Sequence, residues 1–311
     1  MTMQFAQLAG ATAPEGTISP DEIIALRRIC WSDGAIALPE AEAIFALNDR
    51  IARPNREWID FFVEAIGALL IEQSSPRGYV SPEQADWLIA RIESDGQPVS
   101  PAQLELLVHL AERASAEPTR LKAFALGQIE AAVRTGSGPT RDGEHLEPGC
   151  INAAETKLLR RLIFAAGGDG PACVSQSEAE LLFRLKDATL HATNAPEWKQ
   201  LFVQGAGNYL MGLRGAEAPS AARQAELERF IATPEPGLAG FMGRMGSALA
   251  HPGARSSAFA PSAVPQRQWG REEAEAAAIT PAEQGWLNTE IEADGQRDAY
   301  EEALLAFLAE G

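Results

Sequence analysis

Residues that usually carry a reaction are scarce in this chain. Four histidines and three cysteines are spread over 311 residues, and 26 lysines and arginines face 43 aspartates and glutamates, a net charge of −17. No run of about 18 apolar residues occurs, which excludes a helix spanning a bilayer. The deficit of positive charge repels phosphate backbones and anionic lipid, so neither nucleic acid nor a membrane surface is expected as the main partner. Cys30, Cys150 and Cys173 are too few and too scattered for a disulfide framework or a zinc site. The first sixteen residues have no basic segment and no long apolar core, so they do not read as a signal peptide, and a cytoplasmic protein is expected. No stretch alternates polar and apolar residues long enough to predict a strand, which also removes the setting of a phosphate-binding loop.

What is present is helix, and it recurs. EQADWLIARIESDG at 83–96 returns as AEQGWLNTEIEADG at 282–295, with Trp87, Ile92 and Asp95 each matched at a shift of 199. The stripe Trp58, Phe61, Phe62, Ala65, Ile66, Leu69, Leu70 returns at a shift of 140 as Trp198, Leu201, Phe202, Gly205, Ala206, Tyr209, Leu210. Both follow the i, i+3, i+4, i+7 rule of a helix with one apolar face. Helix starts are marked at Ser19-Pro20, Ser81-Pro82 and Ser100-Pro101, and in variant form at Asn152, Ser175 and Thr280-Pro281, each with Glu or Gln at the third helical position. The hydroxyl or amide oxygen accepts from a free first-turn amide while the Glu or Gln reaches back, and proline lacks the donor that would otherwise be orphaned. The acid pairs Glu40/Glu42 and Glu178/Glu180, at a shift of 138, suit the first turn of a helix, where negative charge meets the positive dipole end. Cys30 lies on such a stripe and aligns with Ile163, so it reads as a core thiol.

The predicted architecture is therefore all-α: a tandem duplication of a multi-helix module built from capped helix–loop–helix units. A tail at 1–16 precedes a first module at 17–133, with helices expected near 20–32, 39–52, 55–72, 82–93, 101–115 and 118–133. Residues 134–149, rich in Gly, Pro and polar side chains, read as a flexible linker. The second module is 150–212 plus 276–311, interrupted by a low-complexity insert at 213–275. Within the insert Leu238, Phe241, Met242, Met245 and Leu249 fall at helical spacing, a candidate partner-binding segment of the helix-in-groove kind.

Asp-Gly closes several of the inter-helix loops: Asp33-Gly34, Asp95-Gly96, Asp169-Gly170 and Asp294-Gly295. A glycine in the left-handed conformation ends a helix and Asp tolerates the turn, which explains these loops without a ligand. The last loop carries more. With Gly295 at position 6 of a twelve-residue calcium loop, Glu290, Glu292, Asp294, Gln296 (by its carbonyl), Asp298 and Glu301 fall on the ligand positions. Over 290–301 the chain thus resembles an EF-hand, departing from it in Glu290 at position 1 and Arg297 at position 8. The resemblance implies Ca2+ or another divalent ion held by Glu290, Glu292, Asp294, Asp298 and Glu301, or a degenerate loop kept for structure. Repeated helices with Asp-Gly turns followed by an acid, as in Asp33-Gly34 with Glu40, also resemble the TerB-like domains of tellurite resistance. That resemblance implies a bacterial adaptor or metal-responsive interaction module.

The histidines do not assemble a reaction. His109 shares a helix with Leu104, Leu107 and Leu110, His145 and His251 lie in the low-complexity stretches, and His191 has no nucleophile nearby in sequence. The expected function is non-enzymatic: a helical module that binds another protein, with a calcium-responsive regulator as the alternative.

Overall fold

Helix starts follow the caps. A computed structural model describes residues 16–32, 34–94, 99–115, 119–141, 147–165, 173–211, 281–292 and 297–310. Among them are eleven α-helices and no strand. The first half contains α1 (Pro20–Cys30), α2 (Leu38–Asn48), α3 (Arg56–Gly67), which continues as a π-helical turn (Ala68–Glu72), α4 (Pro82–Glu93), α5 (Pro101–Arg113) and α6 (Thr119–Thr135). The second contains α7 (Ala153–Ile163), α8 (Gln176–Thr189), α9 (Pro196–Leu210), α10 (Pro281–Glu292) and α11 (Ala299–Glu310). None of these helices is long and apolar enough to cross a membrane.

Reciprocal capping boxes form at Ser19/Glu22, Ser81/Gln84, Ser100/Gln103, Asn152/Glu155 and Ser175/Glu178. Each is worth about 1 kcal/mol. Thr280 lies outside the described residues. Two further caps lie outside the six starts marked in the sequence: Asn55 accepts from the Trp58 amide, and Asp298 with Glu301 forms a box at the start of α11. Glu40 reaches back to the Ala37 amide at 2.9 Å, the first-turn role that the recurring acid pairs suggested. Of the Asp-Gly turns only Gly34 is described, at φ +82°, left-handed geometry in the turn that follows α1, where its amide donates to the Trp31 carbonyl.

The apolar stripes meet in one continuous core that takes residues from both halves. In the first half α3 packs against α5, and in the second α9 packs against α11; α5 and α6 join the halves by contacting α7 and α8. Trp58, Trp198 and Cys30 are fully buried. The rings repeat in arrangement as well as in sequence. Phe45–Phe62 and Phe183–Phe202 are edge-to-face at 5.0 and 5.1 Å, and Phe45–Trp87 and Phe183–Trp286 at 5.8 and 5.4 Å.

Residues 134–149 differ from a free linker in their described part. α6 continues to Thr135, the Gly149 amide donates to the Val133 carbonyl, and the Arg141 side chain is fully buried. Its guanidinium forms a two-bond fork with Glu155, at 2.8 and 3.1 Å, and donates to the Cys150 carbonyl at 2.7 Å. One arginine thus ties the connection to the capping box of α7. The candidate partner-binding segment Leu238–Leu249 lies outside the described residues.

Candidate functional site

A groove of about 380 Å3 runs between α3 with its π-helical turn and α5. Asp60, Glu64, Ala68 and Glu72 line one wall at spacings of four, one face of a helix, with Gly67 and Ile71 beside them, and Glu105, His109 and Arg113 line the other at spacings of four. Gly67 lets the walls approach: a Cβ there would stand 3.2 Å from Cδ2 and Nε2 of His109. Burial, and then the positive charge of Arg113, hold His109 below the usual histidine range despite Glu112 and Glu105, so the ring is neutral at pH 7. In the second half the aligned glycine is Gly207, and the ring against it belongs to Phe307.

Two groove carboxylates are already paired. Glu64 meets Arg27 at 2.6 Å, and Glu105 takes both terminal nitrogens of Arg161, which also forks onto Glu112. The Arg161 hydrogen bonds outweigh burial and hold Glu112 below the usual carboxylate range. This clamp joins α5 to α7 across the two halves. The other two acids are freer. The Asp60 carboxylate has only the exposed Arg56 at 3.9 Å, and the Glu72 carboxylate has no partner among the described residues.

The acids assigned to the EF-hand-like loop divide. Asp294 lies outside the described residues, as does the side chain of Glu292. Asp298 and Glu301 are brought together, with a cation between them: Lys186 Nζ stands 2.7 Å from Asp298 Oδ2 and 2.6 Å from Glu301 Oε1, with Asp187 at 2.8 Å. Burial opposes the charge on Lys186, but the three carboxylates raise its affinity for the proton above the ordinary lysine value. Asp298 is held below its ordinary range because Lys186 and the amides of Glu301 and Tyr300 outweigh burial. Glu290 is a separate case: burial, then Glu180 and Asp187, raise its pKa against the pull of Arg184 and Lys186. No group of three or more His, Cys, Asp or Glu side chains among the described residues is arranged to hold a metal ion.

Lys186 did not stand out in sequence, yet a signal for it existed. At the shift of 138 it aligns with Asn48, whose amide donates to Ser100 and whose oxygen accepts from Trp58 Nε1 at 3.1 Å. Replacing Asn by Lys removes that acceptor, and the fully buried Trp198 Nε1 has none among the described residues. A second exchange accompanies it. Arg91 lies between Glu42 and Asp49 and 4.9 Å over Phe45, with Trp87 Nε1 also on Glu42. The aligned residues are Glu290, Glu180, Asp187, Phe183 and Trp286. The cation lost at 290 returns at Lys186, whose Nζ lies 5.6 Å from the Phe183 ring.

His191 is exposed and joins no cluster. No family model matches the chain, and no curated protein and no solved structure matches it.

Proposed function

We propose that the chain is a non-enzymatic helical module, a tandem duplication of the TerB-like kind, that binds another protein through the groove between α3 and α5. The groove is the observation that carries this reading: a cavity of about 380 Å3 with an apolar side at Val63, Ala68 and Ile71 and exposed charge at its rim. An apolar centre with a polar rim is the usual anatomy of a protein-recognition surface. The two uses of one framework also favour the reading. A ring faces a helix glycine in each half, but only in the first does it border this groove as a histidine. A net charge of −17 steers basic partners toward the surface and slows acidic ones.

A photo-crosslinking residue at position 60, against a control at the exposed Asp21 of α1, tests the proposal in cells. The expected result is a protein adduct at 60, absent at 21, that disappears when the groove is filled by Gly67→Leu. Equal adducts at both positions, or none at 60, overturn it.

A further inference from the structure

The α5 wall of the groove is held by a residue of the second half. Arg161 on α7 takes all four carboxylate oxygens of Glu105 and Glu112, at 2.7 and 2.9 Å and at 2.7 and 2.8 Å. His109 lies between those acids, four residues after Glu105 and three before Glu112, the spacings at which helix side chains are neighbours. A histidine flanked in this way ordinarily gains proton affinity, because a nearby carboxylate favours the imidazolium. Here one guanidinium engages both acids, and burial, then Arg113, keep the ring below the usual histidine range. Arg161 adds to that depression, while Glu112 and Glu105 oppose it. The remaining charges of the groove, Asp60, Glu64 and Glu72, lie on the α3 side, with Arg27 on Glu64. α6, which also packs on α5, adds no described residue to the lining.

We propose that Arg161 regulates the groove from the second half by withholding from His109 the two carboxylates that would make it a cation. Arg161 does not itself line the groove, so it is a positioning residue that acts through Glu105 and Glu112. With the clamp closed, an occupant meets an uncharged ring; with the clamp open, it meets an imidazolium. Linkage makes the effect reciprocal: whatever protonates His109 weakens the clamp by the same factor. A partner that sets a carboxylate against the ring, or a fall in pH, therefore loosens α5 from α7. A neutral or basic partner leaves them joined. The Arg161 side chain is 27% exposed and each of its acids 34%, so solvent screens the coupling only in part. Arginine suits the task because its planar fork engages two carboxylates at once, which the point charge of a lysine does not.

The inference rests on the protein-binding reading for its use, but its test does not need the partner. The ring signals of the four histidines of the full chain are followed by NMR against pH, and the signal missing from His109→Gln identifies His109. In Arg161→Gln the midpoint of that signal should rise by about one pH unit, a tenfold gain in proton affinity. Adding Glu105→Gln and Glu112→Gln to that variant should return the midpoint to the parent value or below. A mere loosening of the packing would instead leave the triple variant as high as the single one. That result, or an unchanged midpoint in Arg161→Gln, overturns the inference. Should Arg161→Gln fail to fold, Arg161→Lys takes its place; its ammonium does not hold both acids, so the midpoint should still rise, and one equal to the parent's overturns the inference. A crosslinked partner at position 60 without a moved midpoint removes only this inference, and a moved midpoint without a partner removes only the protein-binding reading.

Discussion

Lys186 and Glu301 are neighbours only through folding: they lie 115 residues apart in the chain, yet Nζ and Oε1 are 2.6 Å apart and both side chains are about 1% exposed. The aligned first-half contact is the neutral one of Asn48 with the Ser100 cap. Lys186→Met leaves two buried carboxylates without their cation and should cost about 3–5 kcal/mol in urea unfolding. Asp298 is held below its ordinary range, so its contribution is present above about pH 4 and is lost as pH falls through the folded value. The deficit of Lys186→Met should therefore shrink in acid. The triple change Lys186→Asn, Asp298→Ser, Glu301→Gln copies the first half and gives Trp198 Nε1 an acceptor. It should recover most of the loss, and a triple variant no more stable than Lys186→Met would refute the equivalence of the two sites.

Glu290 has the opposite sign. Its folded pKa is raised by burial and by Glu180 and Asp187, so its ionisation weakens the native state. That penalty is absent below about pH 4, where the unfolded carboxyl is protonated, and is complete above the folded pKa. Glu290→Gln should raise the melting temperature by about 1–2 °C at pH 7, a small gain because the group is only partly buried and solvent screens it. It should change nothing near pH 3. An equal gain at both pH values would assign the effect to packing.

Arg141 should be among the most sensitive positions in the chain. Arg141 and Glu155 are both 0% exposed, so Arg141→Leu strands a charge inside the protein and should cost about 3–5 kcal/mol. Arg141→Leu with Glu155→Gln removes both charges, and Gln keeps the capping geometry toward Asn152. The double variant should lie within about 1–2 kcal/mol of the parent, since a buried pair is often replaceable even where half of it is not. Chemical unfolding of the single and double variants decides the matter; additive losses would mean the pair is not coupled.

Helices were legible in this sequence because their determinants are local. Ser81-Pro82 with Gln84 and the stripe from Trp58 to Leu70 each fix an element from its own residues, and those elements form as expected. The turn of the chain at Ala68–Glu72 into π geometry was not legible, nor was the burial of Arg141 within a Gly- and Pro-rich stretch. Composition reports average solvation, and it cannot show that Glu155 waits fourteen residues away. Asp298 and Glu301 illustrate the same limit in the site. Their oxygens are spaced as metal ligands on paper, but the spacing is also that of a capping box, and the cation beside them comes from α8. The groove needs α3 and α5 side by side, a contact between residues about forty positions apart. His109 and Phe307 take corresponding places only in the folded structure, against Gly67 and Gly207, a polar ring where the other half has an apolar one; the shift of 199 in sequence sets His109 against Leu308.

Those two rings lead to a final prediction about their glycines. A Cβ at Gly207 would meet Phe307 Cε1 at 2.5 Å and Cδ1 at 2.8 Å, too close for any real contact, so the α9–α11 packing must shift. Overpacking of this kind costs about 1–3 kcal/mol, more than the roughly 1 kcal/mol that alanine gains over glycine in a helix. At Gly67 the nearest atoms are His109 Cδ2 and Nε2 at 3.2 Å, and that ring borders open groove, so a few tenths of an ångström are available. Gly67→Ala should therefore be neutral to stabilising by up to about 0.5 kcal/mol, while Gly207→Ala destabilises. Thermal unfolding of both variants checks the order. If Gly67→Ala proved the more damaging, His109 would be held rigidly against α3, and the groove would lack the room that an incoming side chain needs.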